Sequence, residues 1–288
     1  MNSDDITRRD FVAMTVAAGL AAAAGHADAQ QKTTETDVEI KTADGTCNAA
    51  FIHPATGAHA AVVIWPDAFG LRPAMRDMAR RLAGDGYSVL VPNPFYRVTK
   101  DKVVDDPATF NFGDPAQRAK LTPLMGSINA DGAAERDAAA FVAWLDKQPQ
   151  VDRRKKIGTQ GYCMGGALVV RTAATVPDRI GAGASFHGGG LVTDRPNSPH
   201  LLAPKIKARM YFGVATNDDQ QQPEAKTKLK EAFDAAKVPA EVEVYSQAWH
   251  GWCVPDMAKR PDGQPIYNKP EAERAWGKLL ALYKAALS

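Results

Sequence analysis

Short apolar runs alternate with amphipathic segments along the chain from about residue 37 onward. The runs AVVIW at 61–65 and YSVLVP at 87–92 are short and continuous, which is typical of buried strands. Between them, Met75, Met78 and Leu82 recur at helical spacing before Gly84. On the same criteria we predict strands at 37–41, 48–52, 61–65, 87–92, 157–162, 180–186, 208–215 and 241–245, and helices at 72–83, 132–147, 163–174, 224–235 and 271–287.

Strands that alternate with helices predict an α/β fold, with a mostly parallel central sheet and helices on both faces. One segment, at 93–130, is rich in Pro, Asn and Asp and only weakly periodic. We expect a long active-site loop there, with no more than one short helix. Residues 30–288 are therefore expected to form a single domain.

The first 29 residues have the pattern of an export signal. Arg8 and Arg9 precede an Ala-rich apolar stretch at 11–25, and a small-x-small cleavage pattern follows at 27–29. The stretch is too short, and too poor in Leu and Ile, for a transmembrane helix. We expect export by the twin-arginine machinery, cleavage near Ala29, a periplasmic location and no stable membrane span in the mature chain.

Composition narrows the classes of function. The 288 residues carry a formal net charge of only +2, and the short basic cluster at 153–156 precedes an apolar strand, so nucleic-acid binding is not expected. There are three cysteines, Cys47, Cys163 and Cys253, and no Cys-x-x-Cys pair, which disfavours a disulfide scaffold and structural zinc. The sequence has no Gly-x-Gly-x-x-Gly segment and no metal-ligand cluster, so we predict neither cofactor nor metal.

The most informative segment is Gly161-x-Cys163-x-Gly165, between a predicted strand and a predicted helix. It has the pattern of a nucleophile elbow with cysteine in place of serine. The sharp turn exposes the side chain above the sheet edge, and the small residues let strand and helix approach closely. The sulfur would lie at a helix N-terminus, where the dipole favours the thiolate. Cys163 is therefore the candidate nucleophile; the alternative, a buried structural cysteine, is disfavoured by this context.

A nucleophile requires a base, and the base requires an orienting carboxylate. In α/β hydrolases the three follow in the order nucleophile, acid, histidine. His250 lies after the last predicted strand and before the last predicted helix, where this fold places its histidine. Asp218 and Asp219 both follow the buried run at 208–215. We favour Asp218 as the acid and keep Asp219 as the alternative, because nothing in the sequence separates them strongly.

His187 is followed by three glycines and so mimics the His-Gly-Gly-Gly oxyanion motif of some esterases. That motif belongs upstream of the nucleophile, whereas His187 lies downstream of it. We interpret 187–190 as a strand end that needs conformational freedom and can still line the pocket. For the oxyanion hole we predict the backbone amides of Met164, directly after the nucleophile, and of Ala68, in the loop after the run at 61–65.

Four stretches of the sequence resemble the dienelactone hydrolase family: VVIWPDAFGLRPAMRDMARRLAGDGYSVLVPN, IGTQGYCMGG, YFGVATNDDQQQPEA and WHGWC. Together with their spacing they cover nearly all of 37–288. The resemblance implies an α/β-hydrolase fold, a triad of Cys163, His250 and Asp218, no metal, and cleavage of lactones or activated esters.

Two features depart from the family pattern. Asp67 stands where the family often has a glutamate that contacts the resting cysteine, and it is one methylene shorter. Dienelactone hydrolases proper bind the substrate carboxylate with arginines, one of them shortly after the catalytic histidine, whereas here an apolar Trp-Cys-Val segment follows it. We therefore expect a substrate with a hydrophobic body, bound by Asp67, Phe69, Trp249 and Trp252.

The sequence thus predicts an enzyme, a carboxymethylenebutenolidase-like hydrolase of a small-molecule ester or lactone, which forms an acyl-thioester on Cys163. Two alternatives come from other classes. A non-catalytic periplasmic binding protein on a hydrolase scaffold would have no need of the complete nucleophile, acid and base. A thiol redox protein would be supported by a disulfide between Cys163 and Cys253.

Overall fold

Eight strands form one sheet across residues 31–288, the part of the chain that the computed structural model describes. The strands are β1 (Thr33–Thr42), β2 (Gly45–Pro54), β3 (Ala61–Trp65), β4 (Ser88–Pro92), β5 (Ile157–Tyr162), β6 (Ile180–Phe186), β7 (Arg209–Ala215) and β8 (Ala240–Tyr245). They lie in the order β1-β2-β4-β3-β5-β6-β7-β8. The pairs β1–β2 and β2–β4 are antiparallel, and every other neighbouring pair is parallel.

Helices cover both faces of this sheet. They are α1 (Pro73–Gly84), α2 (Pro115–Asn129), α3 (Ala133–Leu145), α4 (Met164–Thr175), α5 (Thr216–Gln221), α6 (Ala225–Ala235) and α7 (Lys269–Ala286). Alternate residues of β3 enter opposite cores: Val63 belongs to the core that includes residues of α2, α3, α4 and α6, whereas Val62 belongs to the core that includes residues of α1 and α7. The predicted α/β class, with a mostly parallel sheet and helices on both faces, is confirmed.

The segment predicted as a long loop is more ordered than expected. It contains a short 3₁₀ helix, Pro107–Thr109, and the 15-residue helix α2. Asp114 caps α2 by accepting the Ala116 amide, but Pro123 lies inside the helix and few of its residues are buried. The apolar periodicity is therefore weak, which is why the sequence did not reveal this helix. Helix α5 was also missed, because none of its six residues is buried.

The carboxyl ends of three strands carry the candidate catalytic residues. Cys163 directly follows β5, Asp218 lies in α5 directly after β7, and His250 lies in the segment after β8. Since β5, β6, β7 and β8 are neighbours and parallel, all three residues lie along the same edge of the sheet.

Two predictions concern the membrane and export. The predicted signal at 1–29 lies outside the described residues, and it stays a prediction. Within residues 31–288, no helix has both the length and the apolar character needed to cross a bilayer.

Candidate active site

Cys163 occupies a sharp turn between β5 and α4. Its φ of 54° and ψ of −117° lie outside the common regions for a residue with a side chain, so the turn is strained. The Cys163 carbonyl accepts the amides of Gly166 and Gly189, both at 3.0 Å. The side chain is partly exposed, as an accessible nucleophile requires.

Two glycines allow this turn. A Cβ on Gly161 would lie 2.2 Å from the carbonyl oxygen of Gly165, and a Cβ on Gly165 would lie 2.3 Å from the carbonyl oxygen of Trp65. Both contacts are with backbone, which cannot move aside as the end of a side chain can. The elbow therefore packs directly against the end of β3 and the loop that follows it.

Replacing Gly165 with alanine is expected to lower the free energy of unfolding by at least about 2 kcal/mol, because the backbone of the elbow must separate from that of Trp65. Urea unfolding measures the change. Gly126→Ala in α2 is the matched control: it is exposed and has no atom within 4 Å of an added Cβ, so we expect unchanged or slightly greater stability. Equal stability of Gly165→Ala and wild type would contradict the close packing.

His250 is held at the edge of the sheet by α5. Its Nδ1 lies 2.8 Å from Asp218 Oδ2, and its amide donates to Asn217 Oδ1 at 2.8 Å. The Thr216 amide in turn donates to the Ala248 carbonyl at 2.9 Å. Asp219, the alternative acid, instead binds the Lys226 ammonium at 2.7 and 2.8 Å. The structure thus brings Asp218 rather than Asp219 to the imidazole.

The charges around His250 favour its protonated form. Burial alone would lower its pKa, but negative charge on Cys163 and the Asp218 carboxylate, which hydrogen-bonds Nδ1, together raise the pKa of His250 well above its ordinary value. The side chains of His250 and Asp218 are 29% and 25% exposed, so solvent still reaches the pair. The arrangement favours an imidazolium held by the Asp218 carboxylate.

The thiols of Cys47 and Cys253 are both buried. Burial raises the pKa of the Cys47 thiol to about 12 and raises that of Cys253 well above its ordinary value. All three cysteines are free, so no disulfide joins Cys163 to Cys253. Cys163 is therefore the cysteine whose surroundings suit nucleophilic chemistry.

The amides predicted for the oxyanion hole flank the elbow. Met164 is the first residue of α4, and Ala68 lies in the loop after β3, whose carbonyls at Trp65 and Pro66 contact Gly165. Neither amide has a hydrogen-bond acceptor among residues 31–288. Backbone amides without another acceptor are the donors that a developing oxyanion requires.

Asp67, for which a substrate-binding role is predicted, is bound by Arg72 in the structure. Its side chain is 4% exposed, and both of its oxygens accept hydrogen bonds from Arg72, at 2.8 and 2.9 Å. Asp67 also accepts the Phe69 amide, and the same guanidinium binds Asp256 at 2.7 and 2.8 Å. Arg72 therefore links the loop that carries Ala68 to the segment after His250, and the Asp67 carboxylate is committed to this link.

Replacing Arg72 with methionine is expected to lower the free energy of unfolding by about 3–5 kcal/mol, because it leaves the Asp67 carboxylate buried without its partner. Urea unfolding is the measurement. Lys207→Met, which removes a pair exposed on both sides, serves as the control and should leave stability unchanged. A stability of Arg72→Met equal to that of the control would show that the link contributes nothing.

A cleft of about 420 Å³ opens beside Cys163. Its wall combines apolar and polar side chains from α2, α4 and the segment after β6, among them Met125, Asn129, Met164, Ala167, Arg171 and Arg195. Most of these residues were missed at the sequence level, because the helix that carries Met125 and Asn129 was itself not recognised.

The aromatic residues predicted to bind substrate lie elsewhere. Trp252 is fully buried and stacks on Tyr245 with ring centroids 4.7 Å apart, so its side chain does not face the cleft. Phe69 is 3% exposed and packs against Phe110 at 5.1 Å. Trp249 is half-buried beneath the guanidinium of Arg260. None of the three lines the cleft beside Cys163, and their role in substrate binding stays a prediction.

The described part of the chain holds no cluster of the side chains that usually bind metal ions. No three His, Cys, Asp or Glu side chains of residues 31–288 are grouped so that they could hold a metal ion.

Comparison with known proteins relates this geometry to a family. The model of the dienelactone hydrolase family matches residues 48–287. The carboxymethylenebutenolidase of Rhodococcus opacus is 28% identical over 211 residues, which cover 72% of this chain and 77% of that protein.

Solved structures share the fold. A dienelactone hydrolase-like promiscuous phosphotriesterase from metagenomic libraries is 23% identical with a TM-score of 0.70, and the match covers 89% of this chain and 99% of that one. A dienelactone hydrolase from Anabaena variabilis is 17% identical with a TM-score of 0.61, over 90% of this chain and all of that one (100%).

Proposed function

The chain belongs to the dienelactone hydrolase family, enzymes with the α/β-hydrolase fold, and on this basis we propose that it cleaves a lactone or an activated carboxylic ester with Cys163 as nucleophile. His250 is the general base and acid, Asp218 orients its imidazole, and the amides of Met164 and Ala68 form the oxyanion hole.

One observation carries this proposal: Asp218 and His250 are paired at the sheet edge where the Cys163 elbow lies. The Asp218 carboxylate holds Nδ1 of His250 at 2.8 Å. The ring of His187, whose Nδ1 accepts the Cys163 amide at 3.1 Å, lies with its centroid 4.8 Å from that of His250. With Nδ1 donating to the carboxylate, Nε2 is the nitrogen left to exchange a proton with the sulfur. A nucleophile, base and orienting acid in this geometry are the requirement for covalent acyl transfer.

The reaction begins with transfer of the Cys163 proton to His250. The thiolate attacks the carbonyl carbon, and the carbonyl electron pair moves onto oxygen, where the Met164 and Ala68 amides stabilise it. The intermediate collapses with loss of the alkoxide, which takes the proton from the imidazolium and leaves an acyl-thioester. In a lactone this alcohol stays tethered to the acyl group. Water then gives a proton to His250 and attacks the thioester, and the thiolate is released.

Thiol chemistry favours some acyl donors over others. The tetrahedral intermediate can expel either the thiolate or the substrate's leaving group, and the group of lower pKa leaves faster. When the leaving group is an amine or a simple alkoxide, the intermediate therefore expels the thiolate and returns to substrate. When it is an aryl or enol oxygen, the intermediate expels that oxygen and forms the acyl-thioester. Ring strain in a lactone acts in the same direction, so we propose activated esters and lactones rather than peptides.

The cleft suits a small acyl donor. A volume of about 420 Å³ lies within the ordinary range of small-molecule pockets, and apolar side chains such as Met125 and Met164 line it together with a few polar groups. The partner expected from this lining is a small ester or lactone with an apolar portion.

Turnover of a defined panel tests the reaction class. We expect the purified protein to hydrolyse 4-nitrophenyl acetate and five-membered enol lactones at neutral pH, and to leave a 4-nitroanilide of the same acid intact. Binding of esters and lactones without turnover would favour the non-catalytic alternative. Hydrolysis of the anilide at a rate similar to that of the ester would contradict the proposed role of the leaving group.

A further inference from the structure

The segment His187-Gly-Gly-Gly, which follows β6, lies directly against the nucleophile. His187 Nδ1 accepts the amide of Cys163 at 3.1 Å, and the amide of Gly189 donates to the Cys163 carbonyl at 3.0 Å. The segment thus contacts the backbone of Cys163 on both of its polar sides. The sequence interpretation of 187–190 as a flexible strand end did not anticipate these contacts.

The ring of His187 also contacts the catalytic histidine. Its centroid lies 4.8 Å from that of His250 in an edge-to-face arrangement, and 5.2 Å from that of Trp252. His187 is 1% exposed and adopts a φ of 41°, which is uncommon for a residue other than glycine. A side chain kept in an unfavourable backbone conformation, between nucleophile and base, is a candidate for a role in the site.

The hydrogen bond determines the tautomer of His187. Because Nδ1 accepts the Cys163 amide, the ring hydrogen is on Nε2, which is buried and has no hydrogen-bond partner among residues 31–288. Burial, reinforced by the charge on His250, lowers the pKa of His187 well below its ordinary value, so the ring stays neutral and Nδ1 stays an acceptor.

We propose that His187 is a positioning residue, whose Nδ1 holds the Cys163 backbone in the strained turn that aims the sulfur at His250. The inference rests on the proposed function of Cys163. It adds a fourth side chain to the three that the family resemblance supplies, and it accounts for Gly188, whose close packing accompanies the bond from the Gly189 amide to the Cys163 carbonyl. A Cβ on Gly188 would lie 2.3 Å from Ser185 Oγ, which shows how closely this segment is packed.

Two substitutions separate the acceptor from the ring. The Cys163 amide is shared between His187 Nδ1 at 3.1 Å and the Phe186 carbonyl at 3.2 Å. His187→Phe keeps an aromatic ring against His250 but removes the Nδ1 acceptor and leaves only the carbonyl. His187→Asn places an amide oxygen near the position of Nδ1 and tolerates a positive φ, but loses the ring. His53→Phe is the matched control, since His53 is also buried (8% exposed) but lies on β2 and bonds the Pro54 carbonyl.

We expect His187→Phe to lower kcat for 4-nitrophenyl acetate by about 10- to 100-fold with little change in KM, because the sulfur is misplaced while the cleft is intact. The rate of alkylation of Cys163 by iodoacetamide, measured as a function of pH, should fall in parallel. His187→Asn should recover most of kcat, and His53→Phe should retain the wild-type value. Since phenylalanine at a positive φ adds strain, His187→Ala replaces it if the variant does not fold.

Other results would overturn the inference. One is a wild-type kcat and a wild-type alkylation rate in His187→Phe or His187→Ala. The other is a loss of kcat in His187→Asn equal to that in His187→Phe, which would show that the acceptor is not the important feature of His187. Cys163→Ala assayed in parallel separates this from the proposed function. If Cys163→Ala still turns over the ester, the assignment of Cys163 as nucleophile is wrong. If Cys163→Ala is inactive while His187→Phe or His187→Ala is fully active, only the role proposed for His187 is wrong.

Discussion

Replacing Cys163 with alanine is expected to reduce kcat for an aryl ester by about 10³- to 10⁶-fold, because no other group can form the covalent intermediate. Stability should change little, since Cys163 is only partly buried. The residual rate would come from the oxyanion hole and substrate binding alone. Steady-state hydrolysis of 4-nitrophenyl acetate, with urea unfolding of the same samples, measures both quantities.

The matched control for this variant is Cys47→Ala. Cys47 is a fully buried thiol on β2 that hydrogen-bonds the Asn93 carbonyl, and burial raises its pKa to about 12. Its removal should lower stability modestly and leave kcat near the wild-type value. Substantial ester turnover in Cys163→Ala, or an equal loss in both variants, would be incompatible with Cys163 as the nucleophile.

Replacing Asp218 with asparagine is expected to reduce kcat by about 10²- to 10⁴-fold, because the amide preserves size but no longer fixes the imidazole tautomer or stabilises its charge. Asp219→Asn is the neighbouring control, and since Asp219 binds Lys226 rather than the imidazole, its kcat should remain near that of wild type. Equal losses in the two variants, or a larger loss in Asp219→Asn, would reassign the acid.

The same pair of variants has a distinct pH signature. The pKa of His250 in the folded protein is raised above its ordinary value of 6.5, first by the Cys163 charge and then by Asp218, against the opposing effect of burial. Its contribution to stability is therefore complete below about pH 6.5 and is lost as the pH rises through the folded-state pKa. Asp218→Asn should move the His250 pKa downward in an NMR titration and flatten that pH dependence, whereas Asp219→Asn should change neither.

The parts of the candidate site that depend on a local sequence pattern could be predicted from the sequence. The elbow was recognisable because glycines flank Cys163 between a strand and a helix, and β5 was predicted with the bounds that it has in the structure. His250 and Asp218 were located because the fold orders its residues along the chain. The choice between two adjacent aspartates depended on which of them faces the imidazole, and no local pattern contains that direction.

The parts that the sequence did not reveal depend on distant contacts. Buried Asp67 and Arg72 form one network with the partly exposed Asp256, although Asp256 is 184 residues from Arg72 along the chain. The contact of His187 with the Cys163 amide joins the ends of two neighbouring strands, and it became visible only once β5 and β6 were placed side by side. The part of the cleft wall formed by α2 was not predicted, because Pro123 and the exposed polar residues of that helix weaken its apolar periodicity.

Trapping of the acyl-enzyme tests directly whether Cys163 forms a covalent intermediate with the substrate. Wild-type protein mixed with excess 4-nitrophenyl acetate and quenched in acid within the first turnovers would be digested and examined by mass spectrometry, with the His250→Ala variant alongside. We expect an acetyl group on the peptide that contains Cys163, removed by neutral hydroxylamine and much reduced in His250→Ala. Rapid turnover by wild type with the acyl group on another residue would contradict this expectation.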